Sequence, residues 1–407
     1  MKNKNIYPWL VVAMLWGVAL LNYMDRQMLS TMKSAMQVDI IELQSATNFG
    51  RLMAVFLWIY GLMSPISGII ADRMNRKWLI VGSLFVWSVV TSLMGEAETF
   101  QQIYWLRALM GVSEALYIPA GLSLIADYHT GKSRSLAVGI HMTGLYTGQA
   151  IGGFGATVAA AFSWNTTFHW FGIIGIVYAL LLMIFLKDKK SSFAETKTES
   201  SASPQEKKSL FKGLGMLFSN LSFWIILLYF AAPSLPGWAT KNWLPTLFAD
   251  SLNIPMSQAG PIATITIAVS SFIGVIAGGI LSDKWVQKNI RGRVYTGAIG
   301  LGMTIPSLLL LGYGSGLISV VGAALCFGIG YGLFDANNMP ILCQFIPVKL
   351  RGTAYGMMNM VGVFAGAGVT SVLGKMTDNG NLGFGFAVLA GIVFIALALQ
   401  LVTLKPK

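Results

Sequence analysis

The chain has 407 residues, of which 55% are hydrophobic and only 11% charged, and it carries a formal net charge of +12. That balance excludes an ordinary soluble domain and predicts an all-α integral membrane protein. In a soluble protein so basic a chain would point to nucleic acid. Here the surplus cations belong to membrane topology, so no nucleic-acid partner is expected.

Twelve apolar windows follow one another, near 8–34, 51–71, 78–96, 102–127, 135–162, 168–186, 221–247, 258–282, 294–312, 316–342, 353–375 and 383–404. Each runs about 20 to 27 residues, enough for a helix rising about 1.5 Å per residue to cross roughly 30 Å of hydrocarbon. The first window outruns a signal peptide's apolar core and ends in no small-residue cleavage site, which predicts a retained helix. Near its centre stands Asn22-Tyr23-Met24-Asp25-Arg26. A charge at that depth costs about 2.5–3.5 kcal/mol on insertion scales, so such residues persist where they face a polar cavity, pair, or bind something.

Further along, windows two and three are joined by Gly68-x-x-x-Asp72-Arg73 followed by Arg76-Lys77. Window four carries Arg107-x-x-x-Gly111-x-x-Glu114-Ala115 and Pro119, and Arg134-x-x-Ala137-x-Gly139 follows it. Window five contains Gly144-x-x-x-Gly148-Gln149-x-x-Gly152-Gly153. Residues 187–213 are polar, charged and Ser-rich, a cytoplasmic linker between six-helix halves at 1–186 and 214–407. In window seven Pro233, Pro236 and Gly237 predict a broken helix beside Lys241. Window ten holds Asp335, Asn337, Asn338 and Cys326, with Cys343 at its end, and the two cysteines are read as packing residues with no disulfide.

The halves echo one another. Gly68-x-x-x-Asp72-Arg73 returns as Gly279-x-x-x-Asp283-Lys284, 211 residues later, and Arg134-x-x-Ala137-x-Gly139 returns as Arg351-x-x-Ala354-x-Gly356, 217 residues later. Two unrelated loops agreeing on nearly the same offset indicate an internal repeat. With the N-terminus placed inside, the inner segments hold 22 Lys and Arg and the outer loops only Lys33, Arg51 and Lys375. Both termini are therefore expected in the cytoplasm.

Gly68-Ile69-Ile70-Ala71-Asp72-Arg73-Met74-Asn75-Arg76-Lys77 resembles the loop signature of the major facilitator superfamily. Within it the details resemble the anion:cation symporter family: Asn-Tyr-x-Asp-Arg in window one, Arg107 to Ala115 with Pro119 in window four, Trp243-Leu244-Pro245-Thr246 in window seven. After window ten comes Pro347, then Arg351-Gly352-Thr353-Ala354-x-Gly356-x-x-Asn359. Two departures stand out: Ser163-Trp164-Asn165 replaces the family's Gly-Trp-Arg before window six, and Lys241 lies outside the pattern. The resemblance implies two pseudo-symmetric six-helix bundles with a substrate site at their midplane interface. It also implies secondary transport of an organic anion such as a hexuronate or aldonate.

The residue chemistry agrees. Arg26 is the expected substrate ligand, since a guanidinium offers paired donors that match a carboxylate. Tyr23, Gln149, Lys241, Asn337 and Asn338 are the further binding candidates, with snorkelling to the interface the other reading of Lys241. Proton coupling needs a carboxylate that can gain and lose a proton as its surroundings change, and Asp25 and Glu114 qualify, with Arg107 beside them. A fixed ion pair of Glu114 with Arg26 or Arg107 is the structural alternative. Gly68, Asp72, Arg73, Arg76, Arg134, Asp283 and Arg351 are the expected gating residues, bridging helix ends at the cytoplasmic face.

Together these residues and the resemblance predict a proton-coupled importer of a small organic anion, most simply a sugar acid, acting as a monomer in a bacterial inner membrane. Sodium is the other cation that one or two carboxylates could serve. A sugar-phosphate exchanger and a spinster-like lipid or small-molecule exporter are the alternatives. No Gly-x-x-x-x-Gly-Lys-Ser/Thr is present, so no nucleotide is expected to drive transport, and the three scattered histidines offer no metal site. No cofactor and no enzymatic activity are expected.

Overall fold

The computed structural model describes residues 6–129, 132–188, 218–219, 221–346 and 350–404. The linker expected over 187–213 lies outside the described residues apart from Lys187 and Asp188. The first half comprises α1 (Tyr7–Thr31), α2 (Lys33–Met36), α3 (Ala46–Arg73), α4 (Arg76–Met94), α5 (Phe100–Ala115), α6 (Tyr117–Tyr128), α7 (Lys132–Gly152), α8 (Gly155–Ala161) and α9 (Trp164–Phe185). The second comprises α10 (Leu221–Leu252), α11 (Met256–Val286), α12 (Gly292–Tyr313), α13 (Leu317–Asp335), α14 (Asn338–Phe345), α15 (Arg351–Asp378) and α16 (Leu382–Thr403). Helix starts are written in the sequence: Ser45, Asn75, Thr99 and Ser163 each accept a hydrogen bond from the backbone N–H three residues on. Ser163-Trp164-Asn165 thus begins α9, with Trp164 donating to Asp39 (2.6 Å) and Asn165 to the Gly95 carbonyl (2.8 Å).

Among the described residues eleven helical spans are long and apolar enough to cross a membrane. The remaining window, the fifth, is α7 with α8, whose polar residues, including His141 and Gln149, keep it below that mark. Its course is set by close packing. Gly144, Gly148 and Gly152 lie in turn against the carbonyls of Trp16, Leu20 and Met24, so that a Cβ at Gly144 or Gly152 would stand 2.6 Å from a backbone oxygen. Both series advance together by four, so α7 runs parallel to α1 along a seam that only small residues permit.

The expected break in window seven is absent. α10 is one helix of 32 residues with Pro233, Pro236 and Pro245 inside it. Ser234 bonds back to the Phe230 carbonyl (2.7 Å) and Thr240 to those of Pro236 and Gly237 (both 3.0 Å), and the Lys241 carbonyl, which Pro245 leaves without a helical N–H, accepts from Gln27 (2.8 Å). Breaks fall elsewhere. Window four divides after Ala115 and window ten after Asp335, each just ahead of a proline, Pro119 and Pro340, whose missing N–H leaves a carbonyl of the preceding turn without its usual partner.

The two bundles meet along two antiparallel seams. In the first, Ala46 faces Gly374, Gly50 faces Thr370 and Gly61 faces Phe364, which pairs α3 with α15. In the second, Thr157 donates to the Ser257 carbonyl (2.6 Å), Gly153 packs on Gly260, and Tyr146 meets Phe272 at 5.8 Å, which pairs α7 and α8 with α11. A carboxylate fastens this end: Asp378 accepts from Ser45 (2.8 Å), the Ala46 N–H (2.6 Å), and the N–H and hydroxyl of Thr47 (2.9 and 2.6 Å), all at the N-terminus of α3. Toward the opposite, basic end the seams part, and a Cβ added at Gly68, Gly139, Gly279 or Gly356 would meet nothing within 4 Å.

At that basic end the pairs run within each half. Arg76 pairs with Asp127, Arg293 with Asp283 (2.8 Å), and Arg351 donates to the Cys343 and Ile346 carbonyls (2.7 and 3.1 Å). Arg134 is exposed, and the side chains of Asp72 and Arg73 lie outside the described residues. The ion pairs at these helix ends thus run within each half, and none among the described residues crosses from one half to the other.

Candidate functional site

Where the bundles part lies a cavity of about 420 Å³, walled by Tyr23 of α1, Tyr146 and Gln149 of α7, Trp238 and Lys241 of α10, Tyr331 and Asp335 of α13, Asn338 of α14, and Tyr355 and Asn359 of α15. It is closed at the Asp378 end, where Gln27 donates to the Lys241 carbonyl across the two halves (2.8 Å).

Asp25 and Arg26 are neighbours in sequence and part company in space, as the rotation of about 100° per helical residue demands. Arg26 turns toward α5, and its Nε donates to Glu114 at 2.6 Å. The Glu114 side chain is wholly buried and that of Arg26 is 11% exposed. Asn22, one turn before Arg26, donates to the same carboxylate oxygen at 3.0 Å. Aromatic rings box the guanidinium, with centroids at 4.5 Å for Tyr60, 4.8 Å for Phe56 and 5.1 Å for Tyr23. The fork is not fully engaged: Arg26 Nη2 and Glu114 Oε1 have no hydrogen-bond partner among the described residues.

Asp25 turns the other way, toward α4, where Thr91 donates to Oδ2 at 3.4 Å. Arg107 is buried on the Phe56 ring at 4.4 Å and donates to Met110 Sδ at 2.7 Å, and it makes no ion pair among the described residues. Of the two pairings open to Glu114, the structure contains the one with Arg26.

The second half contributes its own charges. Lys241 lies with its ammonium over the Trp238 ring at 4.8 Å and 5.9 Å from the Tyr23 ring. It faces the cavity rather than snorkelling away. Asp335 accepts from Asn338 at 3.0 Å. Asn337 does not reach the cavity: it is fully buried and donates to the Leu333 carbonyl (2.9 Å), because the break after Asp335 turns it back along α13.

The structure thus gathers Tyr23, Gln149, Lys241 and Asn338 around one cavity, sets Arg26 with Glu114 behind Tyr23, and leaves Asp25 and Arg107 deeper in the first bundle. One contributor, Asn22, was not singled out from the sequence as a site residue: it acts on the ion pair together with Tyr60, while Asp335 is the carboxylate of the cavity wall. The signal for Asn22 was present in its place one helical turn before Arg26. Among the described residues no three His, Cys, Asp or Glu side chains come together as a metal site would require.

Residues 15–370 match the Major Facilitator Superfamily. The hexuronate transporter of Bacillus subtilis (strain 168) is 26% identical over 98% of this chain and 94% of the relative. The probable galactarate/D-glucarate transporter GarP of Escherichia coli (strain K12) is 26% identical over 93% of this chain and 90% of the relative. A solved bacterial homologue of the human lysosomal transporter Spinster, inward-facing and unoccupied, superposes with a TM-score of 0.80 at 18% identity, covering 98% of this chain and 97% of that one.

Proposed function

Because this chain belongs to the Major Facilitator Superfamily and is a membrane transporter rather than an enzyme, we propose that it imports a small organic anion, a sugar acid of the hexuronate or aldonate kind, together with protons. The observation that carries this reading is the Arg26–Glu114 bond of 2.6 Å beside the cavity. A buried carboxylate holding the one guanidinium suited to a substrate carboxylate makes the two events exclusive. While Glu114 is ionised it occupies Arg26. When Glu114 takes a proton, the guanidinium is released to the incoming anion, and the charge inside the bundle stays balanced.

The tyrosines around Arg26 exclude water, which strengthens its pull on an anion. Gln149 and Asn338 supply neutral donors and acceptors for hydroxyl groups. With the basic end in the cytoplasm by the positive-inside rule, the state described above is open inward. Rocking of the two bundles about the cavity would open the Asp378 end and close the basic one, bringing the loops of Asp72 and Asp283 into play. A bacterial inner membrane is the setting this orientation suits.

The test is uptake of labelled hexuronates, aldonates and sugar phosphates into proteoliposomes, with and without an inward proton gradient, for wild type and Glu114→Gln. The expected result is gradient-driven accumulation of a sugar acid by wild type, lost in the variant while acid-for-acid exchange persists. Accumulation indifferent to the proton gradient, with counterflow of phosphate alone, would overturn symport in favour of phosphate exchange.

A further inference from the structure

The repeat that relates the two loops also relates the charges inside the bundles. Lys241 follows Arg26 by 215 residues, and Asp335 follows Glu114 by 221, as Pro340 follows Pro119. Both acids sit at the broken end of a helix segment, α5 closing at Ala115 and α13 at Asp335, and each following segment carries proline at its third position. Each acid accepts from an asparagine amide at 3.0 Å, Asn22 for Glu114 and Asn338 for Asp335. The second bundle therefore repeats the cation–acid couple of the first.

The couples differ in one respect. Arg26 and Glu114 touch, whereas Lys241 makes no ion pair among the described residues although Asp335 shares the cavity wall with it. Tyr23 is near both cations, its ring 5.1 Å from the Arg26 guanidinium and 5.9 Å from the Lys241 ammonium. The cations are thus no farther apart than those two distances combined.

Resting on the transport reading above, we propose that Lys241 and Asp335 form a second proton-linked anion subsite, and that the cargo is a dianion with one acidic group on Arg26 and the other on Lys241. Charge balance supports this. The membrane-spanning interior holds Arg26, Arg107 and Lys241 against Asp25, Glu114 and Asp335, so it is neutral when empty. A dianion arriving alone would leave two uncompensated negative charges at bilayer depth, and one proton on each of Glu114 and Asp335 cancels them. The titratable groups that line the cavity with Asp335 are Lys241 of α10, Tyr23 of α1, Tyr146 of α7, Tyr355 of α15 and Tyr331 of its own helix. Lys241 is the only cation among them, so a second acid group has one place to go.

The experiment uses the full chain in proteoliposomes and two acids that differ only in the second carboxylate, galactonate and galactarate. Wild type is expected to favour galactarate at least tenfold in kcat/KM and to take up two protons with it against one with galactonate. Lys241→Gln lowers the galactarate-to-galactonate ratio at least tenfold, while Lys241→Arg, which keeps the charge, holds it. Asp335→Asn reduces the proton count for galactarate from two to one. Equal handling of the two acids by wild type, or a ratio unmoved in Lys241→Gln, overturns the subsite. If the gradient drives neither acid, the transport reading itself fails; if it drives both with the ratio unmoved, only the subsite does.

Discussion

The first bundle seals its couple and the second leaves its own facing the cavity. Arg26 and Glu114 are in contact behind three aromatic rings, while Lys241 and Asp335 stand on the cavity wall. The same pattern of helices and prolines thus produces two electrostatic situations. In one, each charge depends on the other for its solvation. In the other, the cavity itself can supply a partner, which is what a binding site for a charged cargo needs.

The largest effect should come from breaking the sealed couple. Arg26→Ala strands a buried carboxylate and is expected to cost about 3–5 kcal/mol and all uptake. Lys241→Ala, with its neighbour on the cavity wall, should cost clearly less. Thermal unfolding of both variants in detergent measures the contrast, and equal losses would erase it.

A finer cut compares the amides. Asn22→Ala removes a hydrogen bond to an ionised buried group, worth about 1.5–3 kcal/mol. Asn338→Ala should cost less, since Asp335 borders the cavity. Unfolding midpoints of the pair in the same detergent decide this, and a larger loss in Asn338→Ala would reverse the assignment of sealed and open couples.

The smallest effect concerns which end of the cavity is shut. Asp378→Ala removes the acceptor that ties α15 to the start of α3 and is expected to shift the population toward the state open at that end by about 1.4 kcal/mol, or tenfold. Spin labels on exposed Val38 and Asn379, with Cys326 and Cys343 replaced, would report the opening as a longer distance between the bundles. An unchanged distance distribution would show that the glycine seams alone hold this end.

Much of this was legible in the residues. Composition announced a membrane protein, the apolar windows marked the helices, and the recurring Gly-x-x-x-Asp and Arg-x-x-Ala-x-Gly loops marked two related halves. Asp25, Arg26, Glu114 and Lys241 were conspicuous because charge is costly at bilayer depth. The prolines misled in one place and informed in two. α10 runs on through three prolines, whereas after Ala115 and Asp335 the chain does break, and a proline alone does not say which will happen.

Partnership was not legible. Asp25 and Arg26 sit side by side in the chain, yet one turns to Thr91 and the other to Glu114, because helical rotation aims them at different neighbours. Asn337 and Asn338 divide in the same way, one bonded to its own helix and one on the cavity wall. Composition and periodicity suffice for helices, halves and the cost of each buried charge, since these depend on local chemistry and on the solvent that the bilayer provides. Which charges touch, which face the cavity and which end is closed depend on how whole helices pack, and only the folded chain brings those distant residues together.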